Sequence, residues 1–130
     1  MKHEELTGHI IAAAISVHKA LGPGFLESVY EEALAIEFNA FGIHYERQKV
    51  VPILYRGRPV GEHRLDFLVE RQVVVELKAA TALEKVFFAI VRSYLKATNL
   101  ESGLLFNFAA MPLTIKRVAP EDLDFLVSTS

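Results

Sequence analysis

The stretch Leu65-Asp-Phe-Leu-Val-Glu-Arg-Gln-Val-Val-Val-Glu-Leu-Lys78 reads as two buried strands joined by a tight turn. Side chains alternate faces along a strand. Leu65, Phe67 and Val69 therefore share one face, and Arg64, Asp66 and Leu68 the other. On the next strand Val73, Val75 and Leu77 share a face, with Val74, Glu76 and Lys78 opposite. A three-residue loop, Glu70-Arg71-Gln72, sets Val69 against Val73, Phe67 against Val75 and Leu65 against Leu77. One face is then wholly apolar. A two-residue loop shifts the register by one and mixes the faces, which the hydrophobic pattern opposes.

The same register sets Asp66 opposite Glu76, and Lys78 opposite Arg64. Facing carboxylates repel. A fold tolerates them if a cation sits between them or if one is protonated. Oxygen ligands of this kind suit Mg²⁺ or Mn²⁺. The alternative is a salt-bridge cluster in which Arg64 and Lys78 neutralise the two acids. Spacing leaves both readings open.

Outward from this hairpin the hydrophobic period changes. Residues 4–20 are predicted as a first helix, with Leu6, Ile10, Ala13, Ala14 and Val17 at helical spacing. Leu21-Gly-Pro-Gly24 ends it. A second helix is expected from Leu26 to Phe41, stopped by Gly42. Residues 45–55 read as a strand and 56–58 as a turn, followed by the strands 59–70 and 73–78. Thr81 is the expected N-cap of a third helix over 82–98. Residues 103–109 and 113–118 are strand-like and separated by Met111-Pro112. A short helix is expected after Pro120, through Asp122 to Val127. The order ααβββαββα gives an α/β fold, a mixed sheet with helices packed on it.

On the second helix Glu27 lies among Tyr30, Leu34, Phe38 and Phe41, in the middle of an apolar stripe, with Glu31 at its edge. Glu27 is then either a charge favoured by the helix N-terminus or a carboxylate aimed at the sheet. Tyr30 reads as a core aromatic with its hydroxyl at the rim. On the third helix Lys85, Arg92 and Lys96 form one stripe, and Leu83, Phe87, Ile90 and Tyr94 another. The basic stripe is a solvated face or a phosphate-binding one. His18 and His63 read as ordinary polar residues.

The bulk numbers bound the rest. The chain of 130 residues suits one domain spanning 1–130. It has no Cys, and its five His lack metal-site spacing, so thiolate and His-based zinc chemistry are disfavoured. A net charge of −2 and a pI near 6.2 argue against a DNA-coating protein, while leaving room for a local basic patch. Mean hydropathy of +0.27 points to apolar surface covered by a second copy, and so to a homo-oligomer, preferably a dimer. No segment reads as a signal peptide or membrane span, and a cytoplasmic protein is expected.

Gly24-Phe-Leu-Glu27-Ser-Val-Tyr30 resembles the motif that names the GxxExxY protein family. Asp66, nine residues, then Glu76-Leu77-Lys78 is similar to the D…ExK signature of the PD-(D/E)XK nuclease superfamily. The resemblance spans residues 5–118 and includes YLKAT at 94–98 and GLLFNF at 103–108. It implies a restriction-endonuclease-like αβββαβ core with an extra N-terminal helix. It implies that Asp66 and Glu76 bind Mg²⁺ or Mn²⁺, that Glu27 completes the metal site, and that Lys78 positions the attacking water and stabilises charge on the phosphate. Members often carry Gln four residues before the Tyr of YLKAT, where this chain has Ile90. The expected activity is metal-dependent hydrolysis of phosphodiester bonds in DNA. The alternatives are a weak or inactive nuclease-fold module that binds nucleic acid or a protein partner, and a structural dimer whose charges form a buried ion-pair network.

Overall fold

The computed structural model describes residues 3–121. Two helices come first, α1 (Glu4–Leu21) and α2 (Glu27–Ala40). Three strands follow, β1 (Tyr45–Tyr55), β2 (Arg58–Val69) and β3 (Val73–Lys78). Helix α3 (Lys85–Thr98) leads to β4 (Ser102–Asn107) and β5 (Thr114–Val118). The strands form one sheet in sequence order, antiparallel throughout except for the parallel pair β3–β4. Parallel neighbours need a crossover, and α3 supplies it. The expected element order is observed up to β5. The helix expected after Pro120 lies outside the described residues.

The sheet is sandwiched. On one face α1 and α2 pack Ile10, Ala14, Leu34 and Phe38 against Phe67, Val75, Leu77 and Phe106. On the other, α3 packs Val91, Tyr94 and Leu95 against Leu65, Val74, Leu105 and Val118. The central strands are covered on both sides, so all of β4 is buried, and all of β3 except Lys78 is too. That is why they read as continuous apolar runs. Helix α3 comes so close to β4 that a Cβ on Gly103 would lie 2.9 Å from Val91 Cγ1. No helix among the described residues is long and apolar enough to cross a membrane.

The β2–β3 loop is the three residues Glu70-Arg71-Gln72, and Val69 pairs with Val73 and Phe67 with Val75, as the hydrophobic pattern required. The strict alternation does not continue. The ladder between β2 and β3 ends at Phe67–Val75, so the expected backbone pairs Asp66–Glu76, Leu65–Leu77 and Arg64–Lys78 do not form. Leu65 packs under α3, whereas Phe67 packs under α1 and α2. The strand changes faces at Asp66. On β1 the matching place is Gln48: Arg47 pairs with Phe67 and Lys49 with Leu65, with Gln48 and Asp66 left between. Gln48 has φ 50°, in the left-handed region.

Helix α3 begins at Lys85, three residues later than its expected start, and Thr81 caps nothing: Glu84 holds the N-cap position. The delay has a tertiary cause. The Asn107 side chain accepts from Ala80 N–H at 3.1 Å and donates to Ala80 O at 2.9 Å. Phe108 N–H donates to Lys78 O at 2.9 Å. The chain leaving β3 is thus held against the end of β4 before it can turn helical.

Candidate active site

The opening of the β2–β3 ladder is filled by a side chain. Asp66 Oδ2 accepts the Leu77 N–H at 2.9 Å, taking the place of a backbone carbonyl. Asp66 Oδ1 faces the Gln48 amide at 3.4 Å. Gln48 Nε2 also donates to Glu31 Oε1 at 2.8 Å, so one amide spans the two carboxylates. Arg47 donates to Glu31 Oε2 at 2.8 Å and pairs with Glu32 as well. These bonds tie α2 to the sheet edge beside Asp66. A left-handed backbone costs a residue such as Gln about 1 kcal/mol or more; this cost falls on the residue that makes the bridge.

Glu76 stands on β3, 6% exposed, where every β3 residue but Lys78 is buried. Its Oε1 is buried without a hydrogen-bond partner. Its Oε2 lies 3.6 Å from Lys78 Nζ. Burial, then the charge of Asp66, push the Glu76 carboxyl up to about 8, against the pull of Lys78. Asp66 is also raised, first by burial and further by Glu31 and Glu27, against the Leu77 N–H that favours its ionised form. Both carboxyls are thus pushed toward their neutral forms, Glu76 the further, and the two are placed to share a proton. Lys78 Nζ also lies 4.7 Å over the Phe87 ring. Tyr94 of α3 completes the wall. Burial, then the charges of Glu76 and Asp66, push its phenol up to about 12. Its ring meets His63 edge-on at 4.7 Å, and His63 Nε2 lies 3.2 Å from Ser93 Oγ.

Two acids and a lysine thus meet at the end of a parallel strand, at a gap in the sheet. A family model described as the PD-(D/E)XK nuclease superfamily matches residues 4–118. The chain belongs to that superfamily. Its fold is also similar to that of a solved chain titled "Crystal structure of SSO0001", at 16% identity and a TM-score of 0.56, over 98% of this chain and 65% of the other. The chain thus spans just under two thirds of that structure's length, and at this identity the likeness concerns the fold alone. No curated protein matches the chain.

Within the superfamily frame the expected residues separate. Asp66, Glu76 and Lys78 are brought together. Glu27 is not a core-facing acid: it is exposed, as are all residues from Pro23 to Val29. It is the first residue of α2, a turn before the stripe enters the core at Tyr30, Leu34 and Phe38. Its charge reaches Asp66, but among the described residues no three His, Cys, Asp or Glu side chains are gathered to hold a metal ion. The α2 acid linked to the site is Glu31, through Gln48. Arg64 is not the neutralising partner of the acids; its guanidinium points to Gln48 O at 3.4 Å. Lys85 and Lys96 are exposed on α3 and Arg92 is half-buried. Ile90 packs against the apolar cluster beneath α3.

The two motif residues outside the acids have a structural place. Tyr30 is fully buried and stacks on Phe108 at 4.5 Å. Its hydroxyl is inside rather than at the rim, donating to Gly22 O at 2.6 Å and accepting from Phe25 N–H at 3.2 Å. Gly24 stands inside this pinned loop with φ 111°, a conformation that favours glycine.

The metal that such nucleases generally use can be tested against these residues. Two neighbouring carboxyls with hard oxygen donors fit a divalent ion, and Glu76 Oε1 accepts no hydrogen bond that would compete with one. A proton shared by the pair is what a bound ion would displace.

Proposed function

We propose that the chain is a divalent-metal-dependent nuclease hydrolysing phosphodiester bonds in DNA. The observation that carries this reading is the buried Glu76 carboxyl held against the Asp66 carboxyl, with Lys78 Nζ 3.6 Å from Glu76 Oε2. A fold gains nothing from two acids crowded together out of water. A site that binds a cation does.

Asp66 and Glu76 would hold Mg²⁺ or Mn²⁺. The ion, when bound, lowers the pKa of a coordinated water and withdraws charge from the phosphate. Lys78, on the same strand, would orient the water and stabilise negative charge on the phosphoryl oxygens. Glu27 would act only through its charge. Lys85, Arg92 and Lys96 would guide the DNA backbone along α3. We retain membership of the GxxExxY family within this proposal. We also retain a homodimer, since α2 and the residues flanking it expose Leu26, Ile36 and Phe41 by 76%, 66% and 58%.

A second reading has its own observation. Ile90 offers no polar group on α3 and, half-buried, packs against the core. That favours a weak or inactive nuclease-fold module which binds nucleic acid or a protein partner. A melt with Mn²⁺, beside cleavage assays on single- and double-stranded DNA, decides. A ligand bound only to the folded state raises the melting temperature. Mn²⁺ is expected to do so, and Asp66→Asn to abolish the rise. Metal binding without cleavage of any substrate supports the module. An unchanged rise in Asp66→Asn places the metal elsewhere.

A further inference from the structure

Asp66 lies at the point where β2 changes faces, and its carboxylate cannot rely on a regular ladder for its orientation. One side is fixed by the Leu77 N–H at 2.9 Å. The rest of the carboxylate meets Glu76 within the acid pair and, at Oδ1, the Gln48 amide. That amide is itself anchored on Glu31, which Arg47 holds in turn. We propose that Gln48 is the positioning residue of the acid pair: its left-handed backbone turns its amide between Glu31 and Asp66, and so fixes the direction of Asp66 toward Glu76.

The chemistry selects an amide at this position. An amide nitrogen has two N–H donors and no charge. Flanked by two carboxylates, it can give one proton to each without neutralising either. A lysine would neutralise the carboxylates and compete with a metal. A glutamate would add a third repelling acid. The orientation of the amide is fixed by the same fact, since its oxygen would be repelled by both neighbours. The backbone agrees. An ordinary extended residue between Arg47 and Lys49 would continue the ladder; Gln48 instead interrupts the pairing at the level of Asp66, while both strands run on. The 3.4 Å separation from Oδ1 is long for a hydrogen bond, so the 2.8 Å bond to Glu31 sets where the amide sits and Asp66 adjusts to it.

The inference rests on the proposed metal role of Asp66 only for its effect on metal affinity; the steering of Asp66 is measurable without metal. Two variants separate amide from backbone. Gln48→Met keeps the length and the left-handed strain but donates nothing. Gln48→Gly relieves the strain and also donates nothing. In metal-free protein both are expected to shift the Leu77 amide resonance and speed its hydrogen exchange about tenfold or more, because its acceptor is no longer held. Val74 should be unaffected. In Mn²⁺ titrations followed by electron paramagnetic resonance, both should weaken binding about tenfold, as loss of a supporting hydrogen bond to a ligand typically does. The glycine variant should melt close to the wild type. An unchanged Leu77 amide in both variants overturns the proposal, as does a response confined to one of two folded variants, which would trace the effect to backbone strain. If Leu77 responds in both while the wild type binds no Mn²⁺, the positioning role stands and the nuclease reading falls. If one variant fails to fold, the Leu77 amide of the other decides alone: a response supports the role and its absence overturns it.

Discussion

At the scale of single residues, two acids that look alike in sequence carry opposite costs. Asp66 substitutes for a missing backbone acceptor, whereas Glu76 is buried with one oxygen unsatisfied. Glu76→Gln removes a carboxyl pushed toward its neutral form, and should stabilise the metal-free protein at pH 8 by about 1–3 kcal/mol, roughly 3–12 °C in the melt. A lower melting temperature in this variant would show that the Glu76–Lys78 pair is a net gain to the fold. Lys78→Ala tests the other side. With a proton shared by the acid pair, the lysine loses mainly its contact with Phe87 and a weak pairing, so a cost of about 1–2 kcal/mol is expected. Cleavage should fall by at least about 100-fold. A loss of about 3–5 kcal/mol, typical of a broken buried ion pair, with a wild type that cleaves nothing, would favour a structural network instead. These three residues were legible because charge inside an apolar run demands a reason. Gln48 was not, because Arg47-Gln48-Lys49 looks like any solvated strand edge. The helical wheel sets Glu27 at mid-stripe and Glu31 at its edge, only about 40° apart, and so ranks the wrong acid first; what separates them is where α2 starts.

At the scale of elements, the strands were legible from the period of their apolar residues, and the three-residue loop followed from the need to keep one face dry. The face change at Asp66 was hidden because alternation is a rule about regular strands, and the irregularity lies on two strands at once. The start of α3 was misplaced for another reason: Thr81 is a sound local signal, but Asn107 holds Ala80 from 27 positions away in the chain. The α1–α2 connection shows the reverse case, a tertiary bond announced by a motif. Tyr30→Phe keeps the stacking on Phe108 and removes the hydroxyl that secures Gly22 and Phe25. The loop is exposed, so water can replace part of the loss, and a cost of about 1 kcal/mol is expected. Proteolytic nicking between Pro23 and Leu26 should rise with it. Unchanged nicking would show that the glycine conformations alone shape the loop.

At the scale of the whole molecule, the order of elements and the mixed sheet were readable, while the distribution of apolar residues between the two faces emerges only in three dimensions. The acid pair sets one global property. Glu76 is raised in the folded chain, so the folded state binds a proton that the unfolded state releases above its ordinary value of 4.5. Its favourable contribution is complete below pH 4.5 and declines as pH rises toward about 8. Metal-free protein should therefore lose stability between pH 5 and 8 through this group, whereas the Mn²⁺-induced rise in melting temperature should grow over the same range as the ion displaces the proton. Glu76→Gln should flatten the first trend and erase the second; a flat wild-type profile would mean that the carboxyl is ionised when buried. The gap in the β2–β3 ladder has a further consequence, one of inheritance. Asp66 plugs a seam in the sheet, so a descendant that no longer used the site would still be under pressure to keep it. Glu76 closes nothing and burdens the fold, so relaxed selection would discard it first. Of the two acids, the glutamate is the better witness to a working site.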